Sequence, residues 1–393
     1  MLAIGCGVLW AAPEITNVRA HQLPGEHRVK LTYDLSNAGG GACSVRVRVS
    51  TDSGANYGEP LAAAAIDRET AVVLPGTGKM LEIKLAEAGL ANRYSREIRF
   101  QLMANDSAGV APNGFALIPA GNFTMGDQSN PMRGDSIERP VHTVYVSEFF
   151  MAKFETTKEL WDEVRAWGMA NGRGYTDLPV GNGSYASKGR NHPVHTISWY
   201  AMVKWCNARS QMEGLTPCYT VSGATYKTGN ITPDCNWSAT GYRLPTEAEW
   251  EKAARGGQIG QNFPWGNTIG HNNANYRSLL YVYDVSFTQG YHPSYAFGWS
   301  PYSSPVGSFE PNGYGLYDVV GNMWEWCWDS YGSYSYAFQS DPRGQVSGTH
   351  RVDRGGSWNL YAGFCRLSGR HSIDSSSSND YLGFRLARSS GHR

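Results

Sequence analysis

The sequence predicts an all-β sandwich of immunoglobulin or fibronectin type, followed by an α+β domain rich in irregular loops. Three observations carry this. Only Trp10 precedes residue 160, and every other tryptophan follows it, so the chain changes character part-way. Residues 13–107 hold short alternating runs; Val45-Arg46-Val47-Arg48-Val49 has the strict period of two that marks a half-buried strand. Beyond Phe115 come capped helices, then a long tract of Gly, Asn, Ser and aromatic residues with almost no helical periodicity.

The runs 15–21, 28–35, 44–50, 71–74, 81–84 and 97–104 are parted by turn clusters at 37–41, 51–54 and 75–78. Short strands at that spacing build a sandwich, here without the Cys…Trp…Cys core of antibody domains. Residues 108–114 (AGVAPNG) read as a linker. Residues 115–125 read as a strand pair turning at Gly121-Asn122. Thr156 with Glu159 three residues on predicts a capped helix through Leu160, Trp161, Val164 and Trp167. A second helix runs from Ser198 to about Met212 and carries Met202, Val203, Trp205 and Cys206. A third spans 247–255, with Thr246 as cap and Glu249 closing the box. The remaining tract must bury Trp324, Trp326, Trp328 and Trp358. It is expected to be held by side-chain-to-backbone bonds, by disulfides or by bound ions.

Lys+Arg and Asp+Glu are 34 each, so the formal charge is zero. That excludes the basic excess of a nucleic-acid binder and a polybasic membrane anchor. Charged residues are 17%, the mark of a globule filled by rings and main chain. No apolar run is long enough to span a bilayer. Residues 2–12 (LAIGCGVLWAA) resemble the apolar core of a secretory signal, so 1–12 is read as a truncated signal and the protein as exported; the alternative is an N-terminal strand. Of seven cysteines none forms a Cys-x-x-Cys. Cys218 and Cys235 flank a Gly/Thr/Asn-rich loop and are expected to form a disulfide; Cys327 and Cys365 are a second candidate pair. The alternative for every cysteine is a buried thiol acting as a small hydrophobe.

Seven motifs occur in order: Gly121-Asn122-Phe123-Thr124-Met125-Gly126, the run Arg243-Leu244-Pro245-Thr246-Glu247-Ala248-Glu249-Trp250-Glu251, Phe263-Pro264-Trp265-Gly266, Asn312-Gly313-Tyr314-Gly315-Leu316-Tyr317-Asp318, Gly321-Asn322-Met323-Trp324-Glu325-Trp326, Arg354-Gly355-Gly356-Ser357-Trp358 and Gly383-Phe384-Arg385. Together they resemble the formylglycine-generating enzyme (sulfatase-modifying factor) family over residues 115–388, leaving 389–393 as a tail. The resemblance implies a C-type-lectin-like fold: a small twisted β core, a few helices and much irregular chain.

The resemblance also implies calcium. By position its ligands would be the side chains of Asp318 and Glu325 and the carbonyls of Gly321 and Met323, a set suited to a hard cation. The alternative is that both carboxylates bond backbone amides in a buried turn. A second family site would use Asn275 and the Tyr276 carbonyl, but its carboxylate position falls on Gly298. The family's enzymes oxidise the cysteine of a Cys-x-Pro-x-Arg segment in sulfatases to formylglycine with O₂, on copper(I) held by two cysteines. Counted from Ser357, the first of these positions is Leu360 and the second Cys365; counted back from Gly383, Cys365 falls nearer Arg366 and Arg370. By either count one thiolate is missing, which argues against the oxidase and leaves Cys365 as the one catalytic candidate under that alternative. No His-Glu-x-x-His or Gly-x-Ser-x-Gly is present, and His192-Pro193-Val194-His195 reads as a turn.

Residues 359–382 (NLYAGFCRLSGRHSIDSSSSNDYL) hold no Lys, Glu, Gln, Met, Thr, Val, Pro or Trp. The composition resembles the variable segment of lectin-fold proteins diversified by retroelements, and Ser, Tyr, Asn and Gly suit adaptable contact loops. The alternative is a plain solvated loop. The predicted contact residues are Asn359, Leu360, Tyr361, Phe364, His371, Ser372, Asp374, Ser376, Asn379 and Asp380, against a protein or peptide ligand. Arg366, Arg370 and Arg385 are expected to pack the fold. The function expected is therefore a non-catalytic binding module stiffened by Ca²⁺. The alternatives are the formylglycine-generating oxidase, with Cu(I), and a purely structural protein with the sandwich as tether.

Overall fold

The computed structural model describes residues 14–22, 28–36, 44–51, 61, 66–67, 76–86, 88, 90, 98–105, 111–112, 114–129, 134–170, 172–183, 189–280, 282–297, 300–345 and 348–390. The signal segment 1–12, Cys6, Cys43, the run 71–74, Gly298 and most of the linker lie outside them. The chain divides into two units, Met1–Ala111 and Pro112–Arg393.

In the first unit β1 (Glu14–Gln22), β2 (Arg28–Ser36), β4 (Ile66–Asp67) and β5 (Gly76–Lys84) form an antiparallel sheet in the order β1-β2-β5-β4. A second ladder pairs β3 (Ser44–Ser50) with β6 (Arg99–Asn105). Period two explains what is buried: Val29, Leu31, Tyr33 and Leu35 of β2 and Val45 and Val47 of β3 enter one core with Leu81 and Ile83 of β5. Two sheets thus share a core.

The second unit is α+β. Its strands are β7 (Phe115–Ile118), β8 (Gly121–Met125), β9 (His142–Val146), β10 (Phe149–Ala152), β11 (Asn182–Gly183), β12 (Val194–His195), β13 (Tyr219–Val221), β14 (Ala224–Thr225), β15 (Asp234–Cys235), β16 (Tyr242–Arg243), β17 (Ala296–Phe297), β18 (Ser300–Pro301), β19 (Trp324–Ser330), β20 (Gln339–Ser340), β21 (His350–Arg354), β22 (Arg370–Asp374), β23 (Leu382–Gly383) and β24 (Ala387–Ser389). Its helices are α1 (Lys158–Met169), α2 (Trp199–Met212) and α3 (Glu247–Arg255). Two four-stranded sheets, β16-β24-β10-β7 and β22-β21-β19-β23, and the ladder β20-β9-β8 frame the site.

The strand pair expected over 115–125 does not form. β7 pairs with β10 and β8 with β9, because the chain leaves one sheet at Pro119-Ala120 and enters another. The first helix is capped by Thr157 rather than Thr156: the Thr157 hydroxyl accepts the Leu160 amide, and Thr156 is buried one residue earlier. Ser198 caps α2, and Thr246 and Glu249 close the predicted box on α3. α1 and α2 meet through Trp161 and Trp205, stacked at 5.5 Å and 5°. α3 reads as a charged surface helix yet is buried along its length. Its charges are paired: Glu249 with Arg243 at 2.6 Å and 2.7 Å, Glu251 with Arg255 and Arg354. Such pairing is what lets buried charges persist.

The irregular tract is held by side chains that bond main chain. Asn312 donates to the carbonyls of Ala253 and Ala254 at the end of α3 and accepts the amides of Tyr314 and Leu316. Both expected disulfides are absent: Cys218, Cys235, Cys327 and Cys365 are free thiols. Cys218 adjoins Tyr219, which pairs with Cys235, so the two thiols lie near each other and near Cys206 of α2, each unbonded. Cys327 instead lies on β19, its sulfur directed at the Glu325 carbonyl, and Cys365 packs on Gly356. No helix among the described residues is long and apolar enough to cross a membrane.

Candidate functional site

The Gly321-Asn322 turn places the first cluster. Asp318 and Asn322 take positive φ, 54° and 57°, just before β19. Gly321 (φ 73°) has no room for a side chain, since a Cβ would stand 2.4 Å from the Asn275 carbonyl oxygen. The Asn322 side chain donates to both Glu155 carboxylate oxygens, at 3.0 Å and 3.2 Å, and accepts the Ser304 amide at 2.8 Å. Glu325 on β19 is clasped by Arg385 through two 2.6 Å bonds and takes the Trp250 indole N–H at 2.8 Å. Asp318 accepts the Gly307 amide through Oδ2; its Oδ1 is buried without a hydrogen-bond partner among the described residues, as are Thr156 Oγ1 and Ser304 Oγ.

Three buried carboxyls, Glu155, Asp318 and Glu325, thus face a single guanidinium, Arg385. Burial, then Asp318 and Glu325, push Glu155 well above the ordinary carboxylate range against Arg385 and Asn322. Burial pushes Asp318 up to about 6, opposed by the Gly307 amide and Arg385. The cluster is short of positive charge and holds an orphaned carboxylate oxygen, which suits a hard cation. No group of three His, Cys, Asp or Glu side chains among the described residues is disposed to bind a metal, so such a site depends on the Gly321 and Met323 carbonyls. Glu155 and Asn322 were missed by the sequence reading. Glu155 directly precedes the expected cap, Thr156, and carries no motif of its own; Asn322 lies inside a motif read for its neighbours.

At the second predicted position, the Tyr276 carbonyl faces the His271 ring at 3.2 Å, and the Asn275 side chain donates to the Tyr302 carbonyl.

The second cluster lies at the start of the 359–382 segment. Tyr361, Ala362, Gly363 and Phe364 face Leu279, Val282, Tyr283 and Asp284 across an apolar cleft of about 690 Å³. Phe364 is 43% exposed on its lip. Asp284 is structural: it accepts the Tyr276 hydroxyl at 2.6 Å and the amides of Leu279, Leu280 and Ser286. Burial alone would raise its carboxyl, but these bonds, led by Tyr276, hold it below the usual range. Arg277 lies between the rings of Tyr291 and Tyr361, at 5.1 Å and 5.2 Å, and its amide donates to the Leu360 carbonyl.

Behind the cleft Cys365 is fully buried, and burial pushes its thiol up to about 12. Counted from Ser357, the partner position is Leu360. One protonated sulfur does not by itself fit a cuprous ion, which takes two soft thiolates.

The structure splits the predicted contact segment. Asn359 accepts the Ser357 hydroxyl at 2.6 Å, Leu360 accepts the Arg277 amide through its carbonyl, and Tyr361 and Phe364 line the cleft. His371 and Ser372 lie on β22, paired with β21, and Asp374 and Ser376 close the turn after it. Asn379 accepts the Thr196 amide, while Trp358 donates to the Asp380 carbonyl at 3.5 Å. His371 stacks on Trp324 at 5.6 Å and meets the buried Asp353 carboxylate at 3.0 Å. The three arginines bond carboxylates and carbonyls: Arg366 with Glu138 and Gly363, Arg370 with Glu247 and Gly332, Arg385 with Glu325 and Tyr317.

Residues 100–390 match the family model described as sulfatase-modifying factor enzyme 1-like domain. The formylglycine-generating enzyme of Mus musculus is 33% identical over 76% of this chain and 81% of its own length. A second Mus musculus protein, inactive C-alpha-formylglycine-generating enzyme 2, is 39% identical over 40% of this chain and 46% of its own. Among solved structures, Treponema denticola variable protein 1 superposes with a TM-score of 0.53 at 29% identity, covering 70% of this chain and 94% of that one.

Proposed function

Because this chain belongs to the sulfatase-modifying factor family and yet carries one buried thiol where the copper chemistry needs two, we propose that it is a non-catalytic ligand-binding module. A leucine at position 360, five residues before the buried Cys365 thiol, is the observation that carries this reading. In it, the cleft walled by Tyr361 and Phe364 takes an apolar segment of a protein or peptide ligand, since rings supply rigid contact area at low entropic cost. The polar residues His371, Ser372, Asp374, Ser376, Asn379 and Asp380 supply further hydrogen bonds. A calcium ion would sit against Asp318 Oδ1, Glu325 and the Gly321 and Met323 carbonyls, where it would offset the excess of buried carboxylates. Export to an extracytoplasmic compartment, where calcium is abundant, belongs to the same reading. A relative whose name calls it inactive and a neighbour called a variable protein support it.

The test incubates the Ca²⁺-treated protein with Cu(I), O₂ and a Cys-x-Pro-x-Arg peptide beside a two-cysteine family member. Mass spectrometry is expected to find the aldehyde in the control and none with this protein. Aldehyde from this protein overturns the reading in favour of the oxidase. Leu360→Cys supplies the missing sulfur and is expected to tighten Cu(I) binding at least about 100-fold.

A further inference from the structure

We propose that the polar cavity at the amino end of α3 is a second binding site, for a sugar acid: several hydroxyls and one carboxylate. The cavity holds about 310 Å³ and shares no lining residue with the cleft beside Cys365.

Its floor is polar and uncharged in sum. Glu247 is consumed by two bonds from Arg370, at 2.8 Å and 2.6 Å, and one from the Tyr334 hydroxyl at 3.0 Å. Asp329 is 5% exposed and accepts the Glu247 amide at 2.8 Å through Oδ2, while Oδ1 has no hydrogen-bond partner among the described residues. Burial, then Glu247, hold its carboxyl up to about 8, so at neutral pH it is an acid with an O–H to donate. His142 also lines the floor, with its Nδ1 2.9 Å from the Pro140 carbonyl. The Asp329 carboxyl and the hydroxyls of Ser330, Ser333 and Ser335 line one cavity and together offer the donors and acceptors that a hydroxyl-bearing ligand matches.

The mouth is cationic. Arg343 lines it, stacked 4.6 Å over Trp237, with no carboxylate partner among the described residues. A guanidinium held by a ring offers its fork to a carboxylate. Tyr336 and Phe338, 88% and 60% exposed, lie between the lining residues Ser335 and Gln339 in the chain. A purely apolar ligand would leave the floor unsatisfied, and a dianion would meet Glu247 as well as Arg343.

Titration with glucuronate and glucose, read by calorimetry and saturation-transfer NMR, tests this. Glucuronate is expected to bind at least about 10-fold tighter than glucose, and Arg343→Gln, at an exposed position, to erase that preference. Affinity should fall above about pH 8, as Asp329 ionises among Glu247 and Glu249 of α3, Arg351 of β21, Arg370 of β22 and Cys327 of its own strand. Asp329→Asn should keep binding and remove that fall. No binding of either sugar, equal binding of both, or a preference that survives Arg343→Gln overturns the proposal.

Discussion

Arg385 holds both carboxylate oxygens of Glu325 at 2.6 Å while its remaining N–H groups reach the carbonyls of Ala152, Lys153 and Tyr317. One guanidinium therefore ties β19 to β10 and to the Asp318 turn. Removing it leaves three buried carboxyls without a counter-charge. Arg385→Met is expected to cost about 3–5 kcal/mol. Arg385→Lys should recover less than half, because an ammonium cannot reproduce the fork. Unfolding followed by tryptophan fluorescence reads this unit, since every tryptophan but Trp10 lies beyond residue 160. A loss under about 1 kcal/mol for Arg385→Met would show that the pair is not what anchors the cluster.

Calcium should act through Asp318. Its carboxyl stands at about 6 against an ordinary 3.8, so ionising it costs more in the fold than in the unfolded chain. The metal-free fold therefore loses stability as pH rises from roughly 4 to 6 and is level above that. Calcium needs the ionised form, so its stabilisation should be larger at pH 7.5 than at pH 5, about 2.7 kcal/mol at 100 times the dissociation constant. Asp318→Ala should abolish the calcium-dependent rise in melting temperature. An unchanged rise in that variant would place the ion elsewhere.

Elements with a local signal were legible in the sequence. Val45 and Val47, Ser198, and Thr246 with Glu249 each declare themselves within a few residues, by period or by capping chemistry. What failed depended on partners far along the chain. Residues 115–125 look like a hairpin because nothing local says that β7 will choose β10. Cys218 and Cys235 look like a lone staple, but the fold brings Cys206 of α2 to both and all three stay unbonded. Glu155 joins the Asp318 cluster through Asn322, 167 residues away, which no spacing rule reaches. The motifs carried the site because each packs several long-range partners into a few adjacent residues.

Gly356 is a test of how tightly Cys365 is enclosed. Its φ is 75°, and a Cβ there would stand 2.5 Å from the Cys365 sulfur and 2.9 Å from its Cα. Gly356→Ala is expected to destabilise by about 3 kcal/mol or more, from left-handed strain and from the clash. Cys365→Ala in the same chain should restore part of this by removing the sulfur, since contacting residues are not additive. Additive losses would mean the loop moves away and the sulfur is not a wall.

His371 and Asp353 give a pH signature to the second half of the predicted contact segment. The hydrogen bond to Asp353 raises the His371 pKa above 6.5, with burial opposing it. The pair's contribution is therefore complete below 6.5 and is lost as pH rises through the folded-state value. Because the His371 side chain is 48% exposed, that contribution is small, about 0.5 kcal/mol. Asp353→Asn removes the raising partner and leaves burial to act, so the imidazole pKa should fall below its wild-type value, while the stack on Trp324 remains. The imidazole proton shifts, followed by NMR through a pH titration, report this directly. A titration that does not move in Asp353→Asn would show that the ring is set by Trp324 rather than by the carboxylate.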